Sequence, residues 1–308
     1  MWYPYGVRRG LLLLLLLTAL AALAAGCGGG DDEDNGGAAT TIPAETAAED
    51  CAKDELEVVK AGTLTIGTDN PAFPPWFEGG TPKGSKWEIN DPAKGQGFEG
   101  AVAYAVAEQL GFARNEVEWV VVPFEQSFAP GTKKFDFDIN QISIKPARVR
   151  NVDFSEPYYD VNQALVARKG TPIASAKDIA ALKEYKLGAQ IGTTSLDYIN
   201  DEIDPSTEPS VYNTNNDVIS ALKARQIDGI VVDLPTAFFV TAVQVPDGVI
   251  VGQFANAAEQ EQFGLVLAKE SPLTICVSEA VKALREDGTL EQIEQEWLAD
   301  KANAPVLK

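Results

Sequence analysis

The chain has 308 residues, with 45 acidic against 25 basic side chains, a formal net charge of -20, and no histidine. An acidic balance of that size excludes a nucleic-acid partner held by neutralising phosphates. Without imidazole there is no Ser-His-Asp or Cys-His catalytic set and no His-ligated metal site, so neither metal nor cofactor is expected.

The N-terminus comes first in chain order. Arg8 and Arg9 precede the run Leu11 to Ala25, apolar except for Thr18, which has the length and flank of a signal peptide and is short for a membrane span. The run ends in "LAAGC", which resembles a lipobox, with Cys27 as the acylated residue and residues 1–26 as the cleaved signal. Cleavage there leaves 23 bases against 45 acids. Residues 27–54 carry a run of acids with almost no large apolar residue, and such a composition cannot bury enough surface to offset its ordering entropy. They are expected to be a flexible tether, so membrane attachment is expected through the lipid alone, with a second signal needed for firm anchoring.

The body alternates strand-like and helix-like runs, the pattern of an α/β fold. "TLTIGTD" reads as a strand. Residues 99–111 read as a helix on Val102, Val106 and Leu110, stopped by Gly111. "EVEWVVVPF" and "FDFDINQIS" read as strands, and "LVARKG" opens a new block. "SAKDIAALKEY" shows Ser175 and Asp178 at capping-box spacing and predicts a helix. "KLGAQIGTTSLDYI" reads as strand, glycine turn and helix start; residues 216–240 as helix, strand and helix entered at Pro235; "FGLVLAK" as a strand. Two helices close the chain, one capped by Ser271 ahead of Pro272, the other by a Thr289/Gln292 box.

One stretch, "ISIKPARVRNVDFSEPYY", gathers Lys145, Arg148 and Arg150 in an otherwise acidic chain. With "GTLTIGTDNPAFPPWFE", "GFEGAVAYAVAEQLGF", "IGTTSLDYI", "QIDGIVVDLPTA" and "EDGTLEQIEQEW", it falls in the order found in the family 3 extracellular solute-binding proteins, the amino-acid receptors of bacterial ABC importers. The resemblance spans about residues 61–300. It implies a type II periplasmic-binding-protein clamshell with two hinge crossings, residues 55–160 plus 264–308 forming lobe 1 and 161–263 lobe 2. It further implies a monomer that captures a free amino acid outside the cytoplasmic membrane and delivers it to a permease, without catalysis.

A free amino acid is a zwitterion, so its site must satisfy a carboxylate and an ammonium. Arginine suits the first, being always charged and offering parallel N–H donors. By resemblance, Arg148 of "SIKPAR" holds the carboxylate, although Lys145 and Ala147 stand where Thr and Glu are common. Ser143 and the helix start at Thr193 and Thr194 assist it, and Gln141 borders the pocket on the same strand face as Ser143. Asp233 matches the ammonium partner and is also placed to cap the following helix. Asp69 faces the ligand side chain and favours one that donates N–H, as in glutamine, arginine, lysine or histidine. Phe73 or Trp76, and Phe98, match aromatic walls. Lys145 and Arg150 read as solvated surface charges. The run at 79–95 reads as a loop that shapes specificity or decorates the rim.

An alternative on the same fold is a cyclohexadienyl or arogenate dehydratase, for which Glu99 is the one nameable general acid. Cys51 and Cys276, left over once Cys27 is acylated, are expected to pair in an oxidising compartment. By the resemblance both belong to lobe 1, so the bridge would fasten the N-terminal segment without crossing the hinge.

Overall fold

A computed structural model describes residues 51–254, 260–298 and 304–307. The expected signal peptide, Cys27 and residues 27–50 of the tether lie outside the described residues. The first half of the chain runs β1 (Leu64–Thr68), α1 (Phe98–Gln109), β2 (Val117–Val121), α2 (Phe124–Ser127), β3 (Phe137–Asp138), α3 (Pro146–Val149), β4 (Val152–Val161) and β5 (Gln163–Arg168). There follow β6 (Leu187–Gln190), α4 (Thr194–Tyr198), β7 (Ser210–Tyr212), α5 (Asn215–Lys223), β8 (Gly229–Asp233), α6 (Leu234–Phe239) and β9 (Gly248–Phe254). The described chain ends with β10 (Glu261–Ala268), α7 (Thr274–Glu286), α8 (Thr289–Leu298) and β11 (Val306–Leu307).

These elements make two sheets, the two lobes of a clamshell. The first has the order β2-β1-β3-β10-β4 and the second β11-β9-β5-β8-β6-β7. In the first, β1 lies parallel to β2 and β3, and β10 runs antiparallel to β3 and β4. Alternation along β1 and β10 sends Leu64, Ile66, Leu265 and Leu267 into a core with Phe98, Val102 and Val106 of α1 and Val277 and Val281 of α7. Burying each such side chain contributes about 1.5–3 kcal/mol. In the second lobe β5 is buried on both faces: Ala164 and Val166 pack toward α5 and α6, while Leu165 and Ala167 pack with Ile173, Leu182 and Leu187. A continuous apolar run is what such a two-sided strand requires.

Five sequence expectations are corrected. The run at 175–185 forms two short 3-10 turns, Pro172–Ser175 and Ala180–Leu182, and no α-helix. Only Leu182 of that run is fully buried, and one anchor does not offset the cost of helix nucleation. The strand expected over 135–143 shrinks to Phe137–Asp138, because Gln141 takes a positive φ of 51°. Ser271 accepts from Leu273 N–H in a turn ahead of α7, and Asp287 Oδ1, rather than Thr289, receives the first N–H of α8 at 2.8 Å. Finally, residues 264–308 do not all belong with the first sheet. Val306 and Leu307 pair in parallel with Gln253 and Phe254 of β9, and Leu307 is buried in the second lobe's core. The edge of β9 and a pocket over Gly252, where a Cβ would meet Leu307, account for that return.

Cys51 and Cys276 form a disulfide with a Cα–Cα distance of 5.4 Å, joining the opening segment to α7 within the first lobe. The same segment is tied down by an ion pair from Lys53 to Glu116 at 2.6 Å.

Candidate functional site

A cavity of about 430 Å³ lies between the lobes. The chain builds it from strand ends and the turns that follow them. Asp69, Asn70 and Phe73 follow β1, Asn140, Gln141 and Ser143 follow β3, and Arg148 sits on α3. From the second lobe come Thr193 and Thr194 at the start of α4, residues 213–216 at the start of α5, and Asp233 at the end of β8. Of the residues singled out in the sequence, Asp69, Phe73, Gln141 and Ser143 line this cavity, as do Arg148, Thr193, Thr194 and Asp233.

Trp76 and Phe98 do not. They are 1% and 0% exposed and pack edge-on to each other in the first lobe's core, 6.0 Å between centroids. Trp76 contributes differently: its Nε1–H donates across the cleft to Thr236 Oγ1 at 3.0 Å. Phe73 lines the cavity together with Phe77 and Phe124, its ring 6.4 Å from that of Phe239 in the other lobe.

Arg148 is 5% exposed. Its guanidinium lies 4.4 Å from the Phe128 ring centroid and donates to Ser143 O at 2.7 Å and to Gly192 O at 2.9 Å. Burial lowers its pKa to about 10, opposed by the negative charges of Glu261 and Asp233, so it stays a cation at neutral pH. The rigid, planar fork is thereby held from both lobes, by Ser143 O of its own and Gly192 O of the other. Facing it, Asp233 is half-buried, and burial followed by repulsion from Glu261 pushes its carboxyl well up. Its Oδ1 accepts from Gln163 Nε2 at 2.7 Å. Asp233 occupies the cap position of α6, yet its side chain makes no capping bond there. Asp69 is raised by burial, against the Asn70 and Phe124 backbone N–H groups that favour its ionised form.

The lobes are drawn together around this cavity. Ser143 Oγ and Thr194 Oγ1 are 3.5 Å apart. Lys145 pairs with Asp197 across the cleft, so it is not the free surface charge its sequence setting suggests; Arg150 is exposed, as expected. The 79–95 loop braces the rim. Asn70 exchanges bonds with Lys86 O at 3.1 Å and Glu88 N–H at 2.8 Å, and Asn90 Nδ2 holds Ala72 O at 2.9 Å.

Glu99 does not line the cavity. It is fully buried and accepts from the Gln141 N–H, the Gln141 amide and the Tyr158 hydroxyl. Those bonds fix Gln141 in its left-handed conformation at the cavity wall. Among the described residues the buried polar atoms without a partner are both carboxyl oxygens of Asp138 and Asn140 Nδ2.

Residues 64–300 match the sequence profile of the bacterial extracellular solute-binding proteins, family 3. The chain belongs to this family. It is therefore an extracytoplasmic solute-binding protein, and the inter-lobe cavity is its candidate solute site. The L-cystine-binding protein TcyJ of Escherichia coli (strain K12) is 25% identical over 244 residues, 78% of this chain and 84% of that one. The arginine-binding extracellular protein ArtP of Bacillus subtilis (strain 168) is 26% identical over 205 residues, 65% and 77% of the two chains. A solved ancestral arginine-binding protein bound to arginine is 28% identical, with a TM-score of 0.62 over 77% of this chain and 98% of that one. The ancestral amino acid-binding protein AncCDT-1, a precursor of cyclohexadienyl dehydratase, is 25% identical, with a TM-score of 0.61 over 82% of this chain and 98% of that one.

Two polar residues that hold this solute-binding protein's site together had escaped the sequence reading. Gln163 is 2% exposed and contacts Asp233, Ser195 and Glu261. Glu261 accepts from Ser143 Oγ at 2.6 Å. Each stands at the start of a hydrophobic strand, where a polar residue reads as an ordinary strand end.

Proposed function

We propose that this solute-binding protein captures a free amino acid and delivers it to an ABC importer, tethered to the outer face of the cytoplasmic membrane by a lipid on Cys27 and acting as a monomer. One observation carries the reading. A held guanidinium, Arg148, and a half-buried carboxyl, Asp233, approach one cavity from different lobes. A zwitterion satisfies both at once: its ammonium favours the ionised form of Asp233, and its carboxylate completes the unused donors of Arg148. Because the two groups come from different lobes, binding energy goes into closure.

The side chain is read by Asp69, with Asn70 and Gln126 nearby on the lining. A carboxylate among amide groups selects N–H donors, so L-arginine is the first candidate and L-glutamine the second. The arginine-binding relatives support that order. L-Cystine, named for TcyJ, is the test of a longer ligand. The dehydratase reading loses its general acid, because Glu99 is enclosed by Gln141 and Tyr158 instead of facing the cavity. A thermal-shift screen decides the class, using L-arginine, L-lysine, L-histidine, L-glutamine, L-glutamate, L-cystine, arogenate and prephenate. A rise in melting temperature with an amino acid supports the proposal. A rise with prephenate or arogenate alone, accompanied by turnover, overturns it.

A further inference from the structure

Glu261 and Gln163 lie on opposite sides of the hinge. Glu261 pairs with Val161 of β4 in the first sheet, whereas Gln163 pairs with Asp233 of β8 in the second. Gln163 Nε2 reaches Glu261 Oε2 at 3.1 Å across that boundary and Asp233 Oδ1 at 2.7 Å within its own lobe. Its Oε1 receives the Ser195 hydroxyl at 2.6 Å. The other oxygen of Glu261 holds the Ser143 hydroxyl at 2.6 Å. A hydroxyl has one proton to donate, so in this arrangement Ser143 turns its proton to Glu261 and presents a lone pair elsewhere. Every polar atom of the Gln163 amide and both oxygens of Glu261 are thus committed to groups at the solute site.

We propose that Glu261, acting with Gln163, is a positioning residue for amino-acid recognition: its carboxylate ties the Ser143 hydroxyl of one lobe to the Asp233-bound amide of the other, and so registers the two halves of the site when the cleft closes. The inference rests on the amino-acid reading above only for its affinity test. The hinge geometry stands without it. The Gln163–Glu261 bond spans the hinge in the same conformation that brings Ser143 Oγ and Thr194 Oγ1 to 3.5 Å across the cleft. The negative charge of Glu261 beside Asp233 also deepens the negative potential where an ammonium would sit.

Two measurements test this. The first is independent of ligand: small-angle X-ray scattering of the ligand-free full-length protein and of Glu261→Gln and Gln163→Ala. Both variants should shift toward the open form, with a larger radius of gyration at unchanged far-ultraviolet circular dichroism; identical scattering curves overturn the hinge tie. The second is a double-mutant cycle on L-arginine affinity with Ser143→Ala and Glu261→Gln. Losing a hydrogen bond to a charged group should weaken binding about tenfold to a hundredfold in Glu261→Gln. In the Ser143→Ala background that loss should shrink to less than about threefold, because the group through which Glu261 acts is gone. An equal loss in both backgrounds marks a merely structural role and overturns the positioning claim. If wild-type protein binds no amino acid, the functional reading fails while the scattering result still decides the hinge tie.

Discussion

Replacing Glu99 by glutamine should change how the protein's stability depends on pH. Three donors surround the carboxyl and favour its charged form, yet complete burial outweighs them and pushes its pKa from 4.5 to about 7. In the unfolded chain the group ionises near 4.5, so between that pH and about 7 folding must take up a proton. Its contribution is fully present below pH 4.5 and is lost as pH rises through about 7. The difference between 4.5 and about 7 corresponds to about 3 kcal/mol. Glu99→Gln removes this titration, and it also relieves Asp138, whose carboxyl Glu99 pushes further up. Urea unfolding of both proteins at pH 4.5 and pH 7.5 measures the effect. Relative to wild type, Glu99→Gln should gain about 3 kcal/mol on going from the lower to the higher pH, whatever constant penalty the lost acceptor imposes. Parallel losses of stability in the two proteins would refute a buried, proton-holding Glu99.

Breaking the disulfide through Cys51→Ser with Cys276→Ser should destabilise the protein by up to about 5 kcal/mol, the chain-entropy value for a separation of 225 residues, read by urea unfolding under oxidising conditions. Thiol labelling of the denatured, unreduced protein should find neither cysteine free. Lys145→Ala should weaken L-arginine binding by less than about fivefold, since the Lys145–Asp197 pair is partly exposed. Arg150→Ala should leave binding unchanged, as calorimetric titration of the two variants will show.

Much of the scaffold was legible because it depends on local periodicity. Leu64 to Thr68 and the Val102/Val106 stripe state their structure in their own spacing, and the Gly–Thr–Thr turn and the Pro235 entry mark where helices begin. Depth was not legible. Trp76 and Phe98 stand at the motif positions of pocket walls, but which side of the backbone they occupy depends on packing against Tyr159 and Phe263, far along the chain. Partnerships across the hinge were equally hidden. Lys145 and Asp197 are separated by 52 residues, and Gln163 and Glu261 by 98. Nothing in either local sequence hints that the partners meet. The run at 175–185 misled for the opposite reason: it has the spacing of a capping box, but neither short turn there gains a side-chain cap from its own N-cap residue, and a segment with one buried anchor lacks the packing that stabilises most helices.

The central claim is that Arg148 receives the carboxylate of an amino acid held between the lobes. Calorimetric titration of L-arginine into wild type, Arg148→Lys and Arg148→Ala tests it most directly. Truncating one partner of a buried charge pair costs about 2–5 kcal/mol or more, roughly 30-fold to several-thousand-fold in affinity. Arg148→Ala should lose at least that much while keeping its circular dichroism, and Arg148→Lys, which keeps the charge without the fork, should fall between. Wild-type affinity in Arg148→Ala would contradict the account.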